Sequence, residues 1–296
     1  MKYIEIIFLM ILFIININLF SQKEKKIELE FSFGVAGGNL ESISQRSSGI
    51  DELLYQYARY YQADYSAVGK FPENKLFIPI NFSINYRLNK EWYLQAGFDY
   101  SFSNGSSGKA YQVAWDNFYE QYDYDITDRV SYVMPHIGVR LRLGSFDFYS
   151  AVGMGFARFT HTEDLRYSES EPGYSYDTNQ TFKVKGSAPA VIIGIKYRLN
   201  LFKKSSIQAF VKLETVLLKV NSLDGSKTTV ASDPGGTRYS QVEEGTLYQF
   251  QWNPFEDQGF DSWDIYETLP DDPTKRNFQE MGINLSGIRL MIGISF

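Results

Sequence analysis

The sequence predicts an all-β fold: an eight-stranded antiparallel up-and-down transmembrane β-barrel with four long outer loops and a short helix in the first loop. Three observations carry that expectation. Apolar residues recur at every second position over stretches of roughly ten residues, the length at which a tilted strand crosses a hydrocarbon layer. Tight turns and long polar connections alternate along the chain. The composition holds 22 Tyr, 23 Phe and 23 Gly with no Cys, which suits β structure at a membrane interface.

Taken in order, Met1–Ser21 reads as a secretory leader: Lys2, an apolar run from Ile6 to Phe20, then the polar Gln22-Lys23-Glu24-Lys25-Lys26. Residues 22–296 form one β domain. In the first strand Ile27, Leu29, Phe31, Phe33 and Val35 alternate with Glu28, Glu30, Ser32 and Gly34. A polar loop from about Ala36 to Glu73 leads to Leu76–Leu88, where Asn81, Ser83, Asn85 and Arg87 face away from the apolar set. Asn89-Lys90-Glu91 makes a tight turn into Leu94, Ala96, Phe98, Tyr100 and Phe102, set against Gln95, Gly97, Asp99 and Ser101.

The pattern repeats. A long loop is expected over about Asn104–Asp128. Ile137, Val139, Leu141 and Leu143 then oppose His136, Gly138, Arg140 and Arg142. After Gly144-Ser145, Phe148, Val152, Met154 and Phe156 form the next apolar face. A loop over about Thr160–Gln180 precedes Val191, Ile193, Ile195 and Tyr197, set against Gly194, Lys196 and Arg198. A turn near Asn200–Ser205 leads to Ile207, Ala209, Val211, Leu213 and Leu217, against Gln208, Lys212 and Glu214. The longest loop, about Asn221–Glu280, precedes a last strand, Gly282–Phe296, expected to close onto Ile27–Val35. Closure has a physical cause: a bilayer offers backbone groups no water, so a sheet within it must leave no edge.

The polar face defines the candidate site. Glu28, Glu30, Arg87, Asp99, Arg140, Arg142, Lys196, Arg198, Lys212, Glu214 and Arg289 all point to the lumen. An eight-stranded lumen is just wide enough for side chains to fill it. These charges are therefore expected to pair and exclude a continuous channel, with Arg289 reaching Glu30 or Glu28 across the seam. Tyr86, Trp92, Phe148, Tyr197 and Phe296 lie near one end of the outward face, as an interfacial girdle requires.

The leader, the eight alternating strands and the terminal aromatic resemble the small outer-membrane barrels of diderm bacteria, the OmpA/OmpX-like class. The resemblance implies outer-membrane localisation, partners in the lipid bilayer and the barrel-assembly machinery, and an assembly signal at Arg289, Ile294 and Phe296. Met291 stands where that signal has Gly. The barrel is expected to run to Phe296, so the resemblance does not carry over a periplasmic domain like that of OmpA.

The function expected is a structural or surface-interaction role, with acidic, aromatic-rich loops meeting an extracellular ligand. The alternative is a narrow porin-like channel or small-solute transporter. A net charge of −6 argues against nucleic acid. No enzyme, cofactor or metal is expected. The two histidines, His136 in the lumen and His161 at the rim, suggest no catalytic pairing. Asp116, Glu120, Asp123, Asp125 and Asp128 lack the EF-hand pattern and read as a solvated acidic loop. In the first loop Ile50, Leu53, Leu54, Tyr57, Ala58 and Tyr61 have helical spacing, with Ser48 as N-cap.

Overall fold

The computed structural model describes residues 26–38, 40–71, 76–170, 174–199, 207–232, 235–255 and 258–296. The expected leader and the turn at 200–205 lie outside these residues. The chain order is β1 (Ile27–Gly37), α1 (Glu41–Tyr60), β2 (Asp64–Gly69), β3 (Leu76–Arg87), β4 (Trp92–Trp115), β5 (Phe118–Leu143), β6 (Phe146–Glu169) and β7 (Ser175–Leu199). It continues through β8 (Gln208–Val220), β9 (Asp224–Ser232), β10 (Arg238–Phe255), β11 (Gln258–Tyr266), β12 (Lys275–Glu280), β13 (Ile283–Asn284) and β14 (Gly287–Ser295). No described helix is long and apolar enough to cross a membrane, which says nothing about strands.

The expectation of an eight-stranded barrel with four long loops is overturned. The sheet has fourteen strands. A ring of antiparallel pairings does run β1-β3-β4-β5-β6-β7-β8-β14 and back to β1, but it is not a regular barrel. The ring strands range from 9 to 26 residues. The other six strands branch from the ring or extend its hairpins.

The reason lies in the stretches that read as polar loops. Residues 104–128 continue β4 and β5 as one hairpin, paired without interruption from Trp92↔Leu141 to Trp115↔Phe118. Its two-residue tip is Asp116-Asn117, a composition that suits a tight β-turn. Inside it Tyr111, Val113, Tyr124 and Ile126 are buried, so the alternation persists with a polar outer face. Residues 160–180 likewise continue β6 and β7, paired as far as Ser168↔Ser175. The stretch 221–280 holds β9 to β12, which add to the free edge of β7. Such a β-strand needs only one apolar face when water bathes the other.

Two turns rest on specific chemistry. The Asn89 Oδ1 accepts the backbone N–H groups of Glu91 (2.9 Å) and Trp92 (2.8 Å), closing the β3–β4 turn. Gly144 adopts φ of +59° at the β5–β6 turn, a conformation that costs glycine little. The last strand is broken rather than continuous. Ser286 leaves the ladder and its Oγ accepts the Leu218 N–H (3.0 Å), separating β13 from β14, although both pair with β8.

The helix is also longer than expected. It begins at Glu41, so Ser48 lies inside it and Leu40 is the N-cap residue, without a side-chain capping bond. Its stability comes from packing: Ile43, Ile50, Leu54 and Ala58 are buried. It lies against the inner faces of the long hairpins. Ile50 and Leu54 join Tyr111, Tyr124 and Ile126 in one cluster, while Leu40 and Ile43 join Phe77, Met134, Phe159 and Trp263 in another.

Candidate functional site

The polarity of the ring is reversed relative to a water-soluble core. Apolar side chains stand outward and exposed: Ile288 is 64%, Val152 58%, Ile193 56% and Ile137 65% accessible. Charged side chains are enclosed: Arg140, Lys196, Lys212 and Arg289 are each 1% accessible and Asp99 and Asp147 are 0%. The period-2 alternation produces both faces at once. Tyr86, Trp92, Phe148 and Tyr197 stand exposed on the outward face at the end with the short turns.

The enclosed charges form two adjoining groups. In the first, β1 faces β5, β6 and β7 across the lumen. Arg140 donates to Glu28 (2.9 Å) and to Glu30. Arg142 donates to Glu28 (2.5 Å), to Asp147 (3.3 Å) and to the Tyr93 hydroxyl (2.6 Å). Lys196 meets Glu30, Asp147 (2.9 Å) and Glu28 (3.5 Å), and Arg198 lies 3.4 Å from Asp147. Both Arg140 and Arg142 place their guanidinium carbon 4.4 Å from the centre of the Tyr93 ring, a favourable cation–π arrangement.

The second group lies between β3, β4, β8 and β14. Arg289 donates to Asp99 (3.1 Å) and to the Tyr132 hydroxyl, and sits 3.6 Å from Glu214. Lys212 donates to the Asn81 side-chain Oδ1 (2.9 Å) and lies 3.4 Å from Glu214, which also accepts from the Tyr149 hydroxyl (2.7 Å). His136 Nδ1 lies 3.2 Å from Asp99. Lys196 and Lys212 are direct cross-strand partners. Two like charges so placed would repel; Glu30 and Glu214 offset them.

Of the eleven residues assigned to the lumen, ten join these groups and one does not. Arg87 turns to the backbone oxygen of Asn89 (3.0 Å) near the surface. The expected reach of Arg289 to Glu28 or Glu30 is corrected: its partners are Asp99 and Glu214. Four members escaped the sequence reading, namely Asp147, Tyr93, Tyr132 and Tyr149. Asp147 had a signal, since it alternates with the outward Phe146 and Phe148. Of the assembly-signal residues, Arg289 is buried, Ile294 is outward and exposed, and the Phe296 N–H donates to the Leu29 carbonyl (3.0 Å).

A third charged group lies inside the hairpin extensions, beyond the apolar belt. His161, fully buried, places Nδ1 2.6 Å from Asp128 and Nε2 3.5 Å from Glu163. Arg46 of α1 donates to Glu163 (2.8 Å), to the Gln180 side chain (2.8 Å) and to the Trp263 carbonyl (3.1 Å). The Trp263 ring packs 4.9 Å from both His161 and Phe182. Burial alone would lower the His161 pKa, but hydrogen bonds to Asp128 and Glu163 outweigh it and the pKa is raised. Burial would raise that of Glu163, yet Arg46 and His161 hold it down at about 2. His161 thus stands beyond the belt beside Glu163, as a position at the outer rim implies, but its side chain is walled in rather than exposed.

The acidic residues of the second expected loop are not brought together. Asp125 faces outward and pairs with Arg166 (2.9 Å), Asp128 faces inward to His161, and Glu120 accepts from the hydroxyls of Tyr122 (2.6 Å) and Tyr57 (3.2 Å). A strand splits alternate residues between faces. Among the described residues no cluster of acids and histidines is placed to hold a metal ion.

No family model matches the chain, and no curated protein matches it. Among solved structures, the crystal structure of a major outer membrane protein from Thermus thermophilus is similar over 91% of this chain and 98% of that chain, at 10% identity and a TM-score of 0.32. A likeness at that level carries no argument about this chain.

Proposed function

We propose that the chain is an integral β-protein of the outer membrane, whose ring of strands crosses the bilayer and whose extended hairpins and helix form a surface-interaction structure on one side. The observation that carries this reading is the reversed polarity of the ring. An apolar surface that encircles a protein and leaves charges inside is unfavourable in water and favourable in lipid. Ring closure agrees with it, because a closed sheet offers hydrocarbon no unpaired backbone edge.

The hairpin side supports a binding role. Exposed Tyr119, Tyr174 and Tyr239 stand near the hairpin ends, and rigid exposed aromatics suit partner contact. Conduction is disfavoured by the interior. A water-filled pore would wet Arg140, Lys196, Lys212 and Arg289, and all four are enclosed. Catalysis is disfavoured as well, because the Asp128–His161 pair in the hairpins is sealed behind Trp263.

The test places a charge on the belt. Val152→Arg and Ile193→Arg each put a guanidinium on an exposed site, which a water-soluble protein tolerates within about 0.5 kcal/mol. In a bilayer the same change costs roughly 2–4 kcal/mol near the midplane. Stability is measured by urea unfolding in lipid vesicles. Neutral effects at both sites would refute the membrane reading.

A further inference from the structure

The outward face changes character abruptly where the hairpins leave the belt. On β6 the exposed Phe156 is followed two residues later by Arg158. On β8 the exposed Leu217 is followed by Lys219. On β7, Lys183 and Lys185 stand just before Ser187 and Pro189. The register sets Arg158 directly opposite Lys185, and Lys183 opposite Thr160. Like charges directly opposed on one face are unfavourable unless an anion lies between them. All four cations are exposed, and none forms an ion pair within 4.0 Å among the described residues. Arg166, farther out on the same strand as Arg158, is instead paired with Asp125.

The same place holds a groove, because the sheet forks there. Strand β7 pairs with β8 up to Ala190 and with β9 from Lys185, so the edge between them has no strand partner. The opening is about 900 Å³. Tyr100, Val133, Phe156 and Pro189 wall its belt side, and Arg158, Lys185 and Lys219 its hairpin side. It runs on into a second hollow of about 620 Å³ that includes Lys183. Two carboxylates, Asp224 and Glu244, also line these hollows, and Asp224 is held by the Thr246 hydroxyl (2.7 Å).

We propose that this fork is a binding site for a lipid with an anionic phosphate headgroup, in the leaflet on the hairpin side. Its phosphate sits between Arg158 and Lys185, within reach of Lys219, and its acyl chains lie along Phe156, Tyr100 and Pro189. The order of the walls matches such a molecule: apolar toward the belt, cationic immediately beyond it. Asp224 stands opposite Lys185 on β9 without forming an ion pair with it, and phosphate oxygens supply a close counter-charge between Arg158 and Lys185. The proposal rests on the membrane reading above.

The experiment uses the full chain reconstituted in phosphatidylcholine vesicles containing phosphatidic acid, followed by gentle detergent extraction and native mass spectrometry of the retained lipid. Each basic residue near a membrane surface contributes roughly fivefold to anionic lipid binding. The wild type is expected to retain phosphatidic acid in preference to phosphatidylcholine, and R158Q/K185Q to lose that preference on the order of tenfold or more. R166Q, with its cation already paired to Asp125, should retain it. Equal loss in R166Q, or no preference in the wild type, overturns the site. Displacement of the lipid by inorganic phosphate at similar concentration overturns the lipid assignment in favour of a free-phosphate site. Quenching of Trp92 by brominated lipid, isolated by difference from W92F, is read in the same samples. Quenching without lipid preference sinks only the site; absence of quenching sinks the membrane reading itself.

Discussion

Replacing Arg289 with methionine tests whether the lumen is filled or wet. Arg289 and Asp99 are both buried, 3.1 Å apart, and Glu214 lies 3.6 Å from the same guanidinium. The substitution keeps much of the volume and removes the charge. Among the described residues Asp99 then keeps hydrogen-bonding contacts to His136 and Asn81, and Glu214 keeps Lys212 and Tyr149. Removing one partner of a buried ion pair costs about 3–5 kcal/mol. The remaining partners place this case near the lower end, about 3 kcal/mol, or on the order of a hundredfold in the folding equilibrium. In a hydrated pore the abandoned carboxylates would be solvated, and the loss would stay below about 1 kcal/mol.

The assay is urea unfolding of the reconstituted protein, followed by tryptophan fluorescence, with stability taken from midpoint and slope. The double variant R289M/D99N removes both charges, and at least half of the loss should return. Double-mutant cycles isolate such pairwise coupling. A single-variant loss under about 1 kcal/mol, or a double variant no more stable than R289M, would refute the enclosed-lumen reasoning.

Three further outcomes are expected. The raised His161 pKa gives stability that is fully present below its ordinary value of 6.5 and is lost as pH rises through the folded value. Conversely, Glu163 gives stability present above 4.5 and lost as pH falls through about 2. Protease resistance of the hairpins should therefore decline on the alkaline side in the wild type and not in H161Q, while the acid decline remains in both. In planar bilayers the purified protein should show no stable open steps, and regular conductance steps would count decisively against the filled lumen. Deleting Phe296 removes two backbone bonds with Leu29 at the β1–β14 seam; the yield of folded protein in the membrane should fall, and unimpaired assembly would remove Phe296 from the assembly signal.

The alternation along the chain was sufficient to assign faces. Ile288, Leu290, Ile292 and Ile294 could be read as outward, and Arg289, Arg140 and Lys196 as inward, because a strand side chain has only two directions to take. Reversed polarity was therefore legible before any fold. The extent of the strands was not. Residues 104–128 and 160–180 look polar because only their inner face is apolar, and half-apolar strands resemble loops when composition is weighed over a window. Nor could alternation name partners. Which cation meets which carboxylate across a closed sheet depends on its stagger, and stagger is a property of the pairing, not of any one strand. So Arg289 meets Asp99 rather than Glu30. By the same cause His161 meets Asp128, 33 residues away in sequence, on the neighbouring strand. The fork in the sheet at Lys185–Ala190 is likewise a tertiary decision: β7 has two candidate partners, and the level at which one hands over to the other is set by where the chain leaves the belt.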